Sequence, residues 1–74
     1  MVSKRKPLTL KEQQEYIIES LPGVGPNLSK ALLSKFKSVK NVINAKEHRL
    51  KKVDKIGDKK SKVLRDVLDS EYKD

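Results

Sequence analysis

Cysteine is absent from this chain, and other shortages accompany it: no tryptophan, one phenylalanine, two tyrosines, one histidine, three glycines and three prolines among 74 residues. Each shortage excludes something. Without thiols there are no disulfides, no thiolate metal sites and no cysteine chemistry. The lone imidazole, His48, has only Glu47 as an acidic neighbour, so no metal is expected. No stretch approaches the roughly 18 apolar residues of a membrane span, and no signal-peptide core follows Met1. No glycine-rich loop closes on Gly-Lys-Ser/Thr, which removes an ATPase reading. Asp54, Asp58 and Asp66 stand among lysines instead of converging, so a two-metal nuclease centre is not expected either. No catalytic constellation and no cofactor are predicted, and the chain is expected to be soluble and intracellular.

Basic residues, by contrast, are plentiful. Eighteen lysines and arginines against ten acids give a formal net charge of +8, which favours a polyanionic partner. Lysine-rich surfaces also serve solubility and heat adaptation, so placement matters more than the total. Between Lys46 and Lys62 eight basic residues face three acidic ones, Glu47, Asp54 and Asp58. From Asp66 to Asp74 the balance reverses. The positive density is therefore concentrated rather than spread.

Apolar spacing predicts five helices and no strand, an all-α fold. Met1 to Pro7, with Ser3-Lys4-Arg5-Lys6, reads as a disordered basic arm or linker. Thr9 and Glu12 have the spacing of a capping box. The helix they open carries Leu10, Gln14, Ile17, Ile18 and Leu21 on one stripe. Leu28, Ala31, Leu32 and Phe36 line the second helix, which begins at Pro26. Ser38 is placed to cap a short third helix with Val39, Val42 and Ile43 inward. Asn44 is expected to cap a fourth that buries Leu50 and Val53. Val63, Leu64, Val67 and Leu68 form the stripe of the last helix. The core is small and aliphatic, so a partner or the rest of a longer protein is expected to complete it.

Between these helices lie two related turns. The first is Leu21-Pro22-Gly23-Val24-Gly25-Pro26 and the second Val53-Asp54-Lys55-Ile56-Gly57-Asp58. The register that lays Leu21 on Val53 also lays Val24 on Ile56, Gly25 on Gly57, Ser29 on Ser61 and Leu32 on Leu64. This is a duplicated helix–turn–helix unit, with residues 36–45 joining the copies and a pseudo-two-fold core expected between them. A turn of this kind at a helix start directs unpaired N–H groups outward at the positive end of the dipole, which suits a phosphate.

The pattern from Leu21 to Ser29 resembles the helix-hairpin-helix DNA-binding motif, and the duplication resembles the double helix-hairpin-helix domain. Tyr16-Ile17-Ile18-Glu19-Ser20-Leu21-Pro22-Gly23-Val24-Gly25, Phe36-Lys37-Ser38-Val39 and Ile56-Gly57-Asp58-Lys59-Lys60-Ser61 make residues 8–67 similar to the C-terminal domain of the XPF/Hef family of structure-specific nucleases, archaeal members in particular. The family's own nuclease signature, a Gly-Asp and Glu-Arg-Lys cluster, is absent. The resemblance implies a non-catalytic domain at 8–72, with hairpins at 21–26 and 53–58 and a tail at 73–74, belonging to a repair nuclease or helicase.

It also implies a role for particular residues. Backbone amides around Gly23, Val24 and Gly25 would hold a DNA phosphate, with Asn27 and Lys30 on the following helix. In the second hairpin Ile56, Gly57 and Asp58 would do so, aided by Lys59, Lys60 and Lys62. Gly25 is expected to hold a backbone geometry that a Cβ would oppose. Lys55 stands where the motif usually has its first glycine, so the second hairpin is expected to bind more through lysine charge than through its backbone cradle. The partners implied are forked, flap or splayed-arm DNA, the catalytic domains of a parent protein, and a second copy of the chain. Leu10, Tyr16, Phe36 and Leu68 are candidates for that dimer interface. The competing reading is a protein-interaction module with weak or lost DNA binding.

Overall fold

The structure is a computed structural model and describes residues 9–73; the basic arm read at 1–7, the domain start at Leu8 and the last residue of the tail lie outside the described residues. The described residues form five helices and no strand: α1 (Leu10–Glu19), α2 (Pro26–Phe36), α3 (Val39–Asn44), α4 (Glu47–Leu50) and α5 (Asp58–Asp69).

Local chemistry sets most of the helix ends. Thr9 Oγ1 accepts the Glu12 N–H at 3.1 Å, and the Glu12 carboxylate accepts the Thr9 N–H at 3.0 Å, completing the capping box of α1. Ser38 Oγ accepts the Asn41 N–H at 3.0 Å to cap α3. At the far end of α2, Lys37 takes the left-handed conformation (φ 77°) and donates its N–H to Leu33 O at 2.8 Å. Asn41 Nδ2 donates to Phe36 O at 2.8 Å, so α2 ends without the usual glycine. The expected cap at Asn44 is not one: α3 runs through Asn44, Ala45 follows as its C-cap, and α4 starts behind Lys46 with no side-chain cap.

One apolar cluster holds the elements together. Ile18 of α1, Leu32 and Phe36 of α2, Val42 of α3, Leu50 of α4 and Leu64 of α5 meet Val24, Ala45, Val53 and Ile56 from the connections. At about 1.5–3 kcal/mol for each fully buried large side chain, such contacts outweigh helix propensity in elements this short. α1 packs on α2 and α3, α2 on α3, and α4 on α5. The outer helices bury less than their stripes suggest. In α1 only Ile18 is buried, and Leu10, Tyr16 and Ile17 are exposed; in α5 Leu64 is buried while Val63 and Val67 are exposed.

Arg65 makes a connection that composition and spacing do not announce. Its guanidinium donates to Ile43 O at 2.5 Å and Ala45 O at 2.8 Å, and it is held in turn by Asp69. The linking helix α3 is thereby fastened to α5.

Candidate nucleic-acid interface

Each turn is built by the same hydrogen bonds. In the first, Leu21 N–H donates to Ile18 O (3.1 Å), Val24 N–H to Leu21 O (3.1 Å) and Ser29 N–H to Gly25 O (2.9 Å). In the second, Val53 N–H donates to Leu50 O (3.0 Å), Ile56 N–H to Val53 O (3.0 Å) and Ser61 N–H to Gly57 O (3.0 Å). Ser29 and Ser61 are completely buried, and each hydroxyl donates at 2.9 Å to the carbonyl three residues back, Pro26 O and Asp58 O. Burial of a hydroxyl is tolerable only with such a partner. The backbone agrees as well: Gly25 has φ −103° and ψ −172°, Gly57 φ −97° and ψ −168°. Left-handed residues fall at Gly23 (φ 76°) and Lys55 (φ 71°), which are equivalent in the repeat. Lys55 therefore keeps the shape of the motif.

This geometry reassigns two groups of residues. Val24 and Ile56 have buried side chains and spend their N–H groups inside the turn, so they anchor the hairpins instead of presenting amides. Gly25 and Gly57 have ordinary extended backbones, and a Cβ on either would meet nothing within 4 Å. The expectation that a Cβ opposes the geometry of Gly25 is thus incorrect; that constraint belongs to Gly23. As N-caps without a side-chain acceptor, Gly25 and Gly57 contrast with Thr9 and Ser38. They leave the first amides of α2 and α5 open. Among the described residues, no acceptor in the chain takes the N–H of Gly23, Gly25, Asn27 or Leu28, or those of Lys55, Gly57, Lys59 and Lys60. Pro26, at the first position of α2, has none to offer.

The two turns share a groove. Gly23, Gly25, Asn27 and Leu28 line one side, and Asp54, Lys55 and Lys60 the other. Beside it, Pro22, Gly23, Lys59, Lys60 and Val63 enclose a mostly apolar recess. Gly23, Gly25 and Asn27 of the first hairpin are thus brought together with Lys60, which the sequence assigned to the second, and with Lys55, which the sequence left aside. Lys30 instead lines a separate groove between α1 and α2 with Lys11, Glu15 and Lys37. Lys62 lies on the side of Asp58, the first residue of α5, whose carboxylate meets Lys51 Nζ at 2.9 Å. That hydrogen bond and the Lys51 charge hold the Asp58 carboxyl below its ordinary range. Its negative charge at the second hairpin is thereby offset within the protein.

Of the dimer candidates, Leu10 and Tyr16 are exposed, Leu68 is half-buried, and Phe36 is in the core with 6% exposure. Phe36 therefore offers no free surface. Its ring packs inside, with the Arg49 guanidinium 5.6 Å and the Lys35 ammonium 6.0 Å from its centroid. His48 is exposed, and no cluster of acids and histidines able to hold a metal occurs among the described residues. No helix among them is long and apolar enough to cross a membrane.

Comparison with known proteins agrees with this architecture. The family model of the SAM-like helix-hairpin-helix tandem matches residues 16–69, and the chain belongs to that family. A Methanocaldococcus jannaschii protein described as an ATP-dependent RNA helicase is 51% identical over 65 residues, covering 88% of this chain and 8% of that protein. The UvrABC system protein C of Haloarcula marismortui is 33% identical over 60 residues, covering 81% of this chain and 10% of its own length. XPF from Aeropyrum pernix superposes with a TM-score of 0.82 at 31% identity, over 86% of this chain and 33% of that one. Its complex with DNA gives 0.84 at 28% identity, over 90% and 34%. The chain thus spans only a small part of the curated relatives and about a third of the XPF chain.

Proposed function

We propose that this chain is a DNA-binding module that grips sugar–phosphate backbone with its two hairpins. The observation that carries the proposal is the pair of glycine-capped helix starts, matched in dihedral angles and hydrogen bonds, whose open amides flank one lysine-bearing groove. Backbone N–H groups at a helix start suit phosphate oxygens, and lysines add charge without reading bases. Binding of this kind is independent of sequence and selects DNA by shape, with forks, flaps and splayed arms as the preferred forms. The similarity to the Aeropyrum pernix XPF–DNA complex supports the same reading.

The module serves a longer protein of the XPF/Hef type, in which separate domains supply nuclease or helicase chemistry, and it also pairs with a second copy. Exposed Leu10 and Tyr16 favour an apolar contact of that sort. A chain acting in such a protein is intracellular and associated with DNA. The test is fluorescence anisotropy with labelled fork, duplex and single-stranded DNA at two salt concentrations. Affinity that falls steeply with salt and is highest for the fork is expected. Simultaneous Lys30→Glu, Lys59→Glu and Lys60→Glu substitution should abolish it while the fold persists. Unchanged affinity in that folded variant would refute the lysine assignment.

A further inference from the structure

We propose that the second copy of the repeat supplies the cation of both hairpins: Lys60, although carried on the helix of hairpin two, crosses to serve hairpin one, and Lys55, in the turn itself, serves hairpin two. The inference rests on the DNA-binding reading above. Its starting point is the contact between Lys60 and Gly23. A Cβ at Gly23 would stand 3.3 Å from Lys60 Cε and 3.7 Å from its Cδ and Cγ. The stem of Lys60 thus lies across the bare backbone of the first turn, and its ammonium sits one bond further along. Lys60 lines both the shared groove and the apolar recess beside Pro22 and Gly23, a setting that suits the methylenes of a long cationic side chain. The two ion pairs among the described residues, Lys51–Asp58 and Arg65–Asp69, do not involve it.

The repeat explains the arrangement. Gly23 corresponds to Lys55, and Lys60 to Leu28, and all four line the same groove. In turn one a glycine leaves room for a lysine from the other copy. In turn two the lysine is in the turn itself, at the left-handed position, and the other copy contributes Leu28. Within the shared groove each turn thus meets one lysine, supplied by different positions of the repeat. The apparent defect of Lys55, a non-glycine at φ 71°, is the counterpart of the Lys60 crossing.

The test couples Lys60→Met, which keeps the stem and removes the charge, with Gly25→Asp or Gly57→Asp. Both glycines have ordinary φ and open space for a side chain. Aspartate there caps the helix start and repels phosphate, disabling one hairpin without unfolding it; circular dichroism melts verify the fold of every variant. Lys60→Met alone is expected to weaken DNA binding and to lower the salt slope by about one. That effect should vanish in the Gly25→Asp background and persist in full in the Gly57→Asp background. The opposite pattern, or an equal effect in both, overturns the crossing of Lys60. A parallel amide-resolved NMR titration with pyrophosphate separates the Lys60 crossing from DNA binding. If the wild type binds no DNA, yet pyrophosphate shifts Gly23 and Gly25 less in Lys60→Met while Lys55 and Gly57 respond as before, the DNA reading falls and the crossing of Lys60 stands. Absence of both responses removes both.

Discussion

A left-handed residue without glycine is the sharpest local feature of the chain. At φ 71°, Lys55 crowds its Cβ against the following carbonyl, a cost of about 1–2 kcal/mol. Lys55→Gly should therefore raise the free energy of unfolding by about 1 kcal/mol in a urea titration, while weakening DNA binding through loss of charge. A variant that gains neither stability nor loses affinity would remove Lys55 from both roles. Gly23→Ala should do the reverse for stability, because it adds the same strain and presses on the Lys60 stem. Much of this was legible in the sequence. The alignment of Gly25 with Gly57 and of Ser29 with Ser61 located both turns. Which glycine bears the positive φ was not legible, since glycine permits both conformations and the spacing of Gly23 and Gly25 does not choose. Nor does a linear chain disclose that Lys60 crosses to Gly23, because that contact depends on how the copies face each other.

The elements are tied by a few polar contacts whose loss is measurable. Arg65 satisfies carbonyls at the end of α3 from a position on α5. Arg65→Met should destabilise the fold by about 1–3 kcal/mol by leaving Ile43 O and Ala45 O without that donor; an unchanged urea midpoint would show the tie to be dispensable. Two exposed carboxylates also mark helix starts. Glu12 is held below its ordinary value of 4.5 first by the Thr9 backbone N–H, and Asp58 below 3.8 first by its hydrogen bond to Lys51. A carboxyl depressed in the folded state contributes stability above its unfolded pKa and loses it as pH falls through the folded one. The melting temperature should therefore drop as pH is lowered below about 4.5, and Glu12→Gln should flatten part of that drop. An identical pH profile in Glu12→Gln would show that the capping box contributes nothing through its charge. Helix periods predicted all five elements, yet overstated how much α1 and α5 bury. A stripe records which side of a helix is apolar, and only the other elements decide how much of it finds a neighbour. Asn44 illustrates a related limit: its type favours a cap, but α3 absorbed it and left Lys46 at the start of α4.

At the scale of the molecule, a net charge of +8 gathers on a chain whose two hairpins open toward one groove. Charge alone would draw any polyanion, whereas the proposed pair of cradles at fixed separation would select among phosphate backbones by their geometry. DNA affinity in the double variant Gly25→Asp, Gly57→Asp tests the paired cradles together. Both substitutions supply an N-cap acceptor where the protein has none, so thermal stability should be retained or increased. Both also occupy the amides and place a carboxylate where a phosphate would sit. The expected result is a folded, at least equally stable domain that no longer binds fork or duplex DNA at low salt. A folded double variant that binds DNA with wild-type affinity and salt dependence would contradict it.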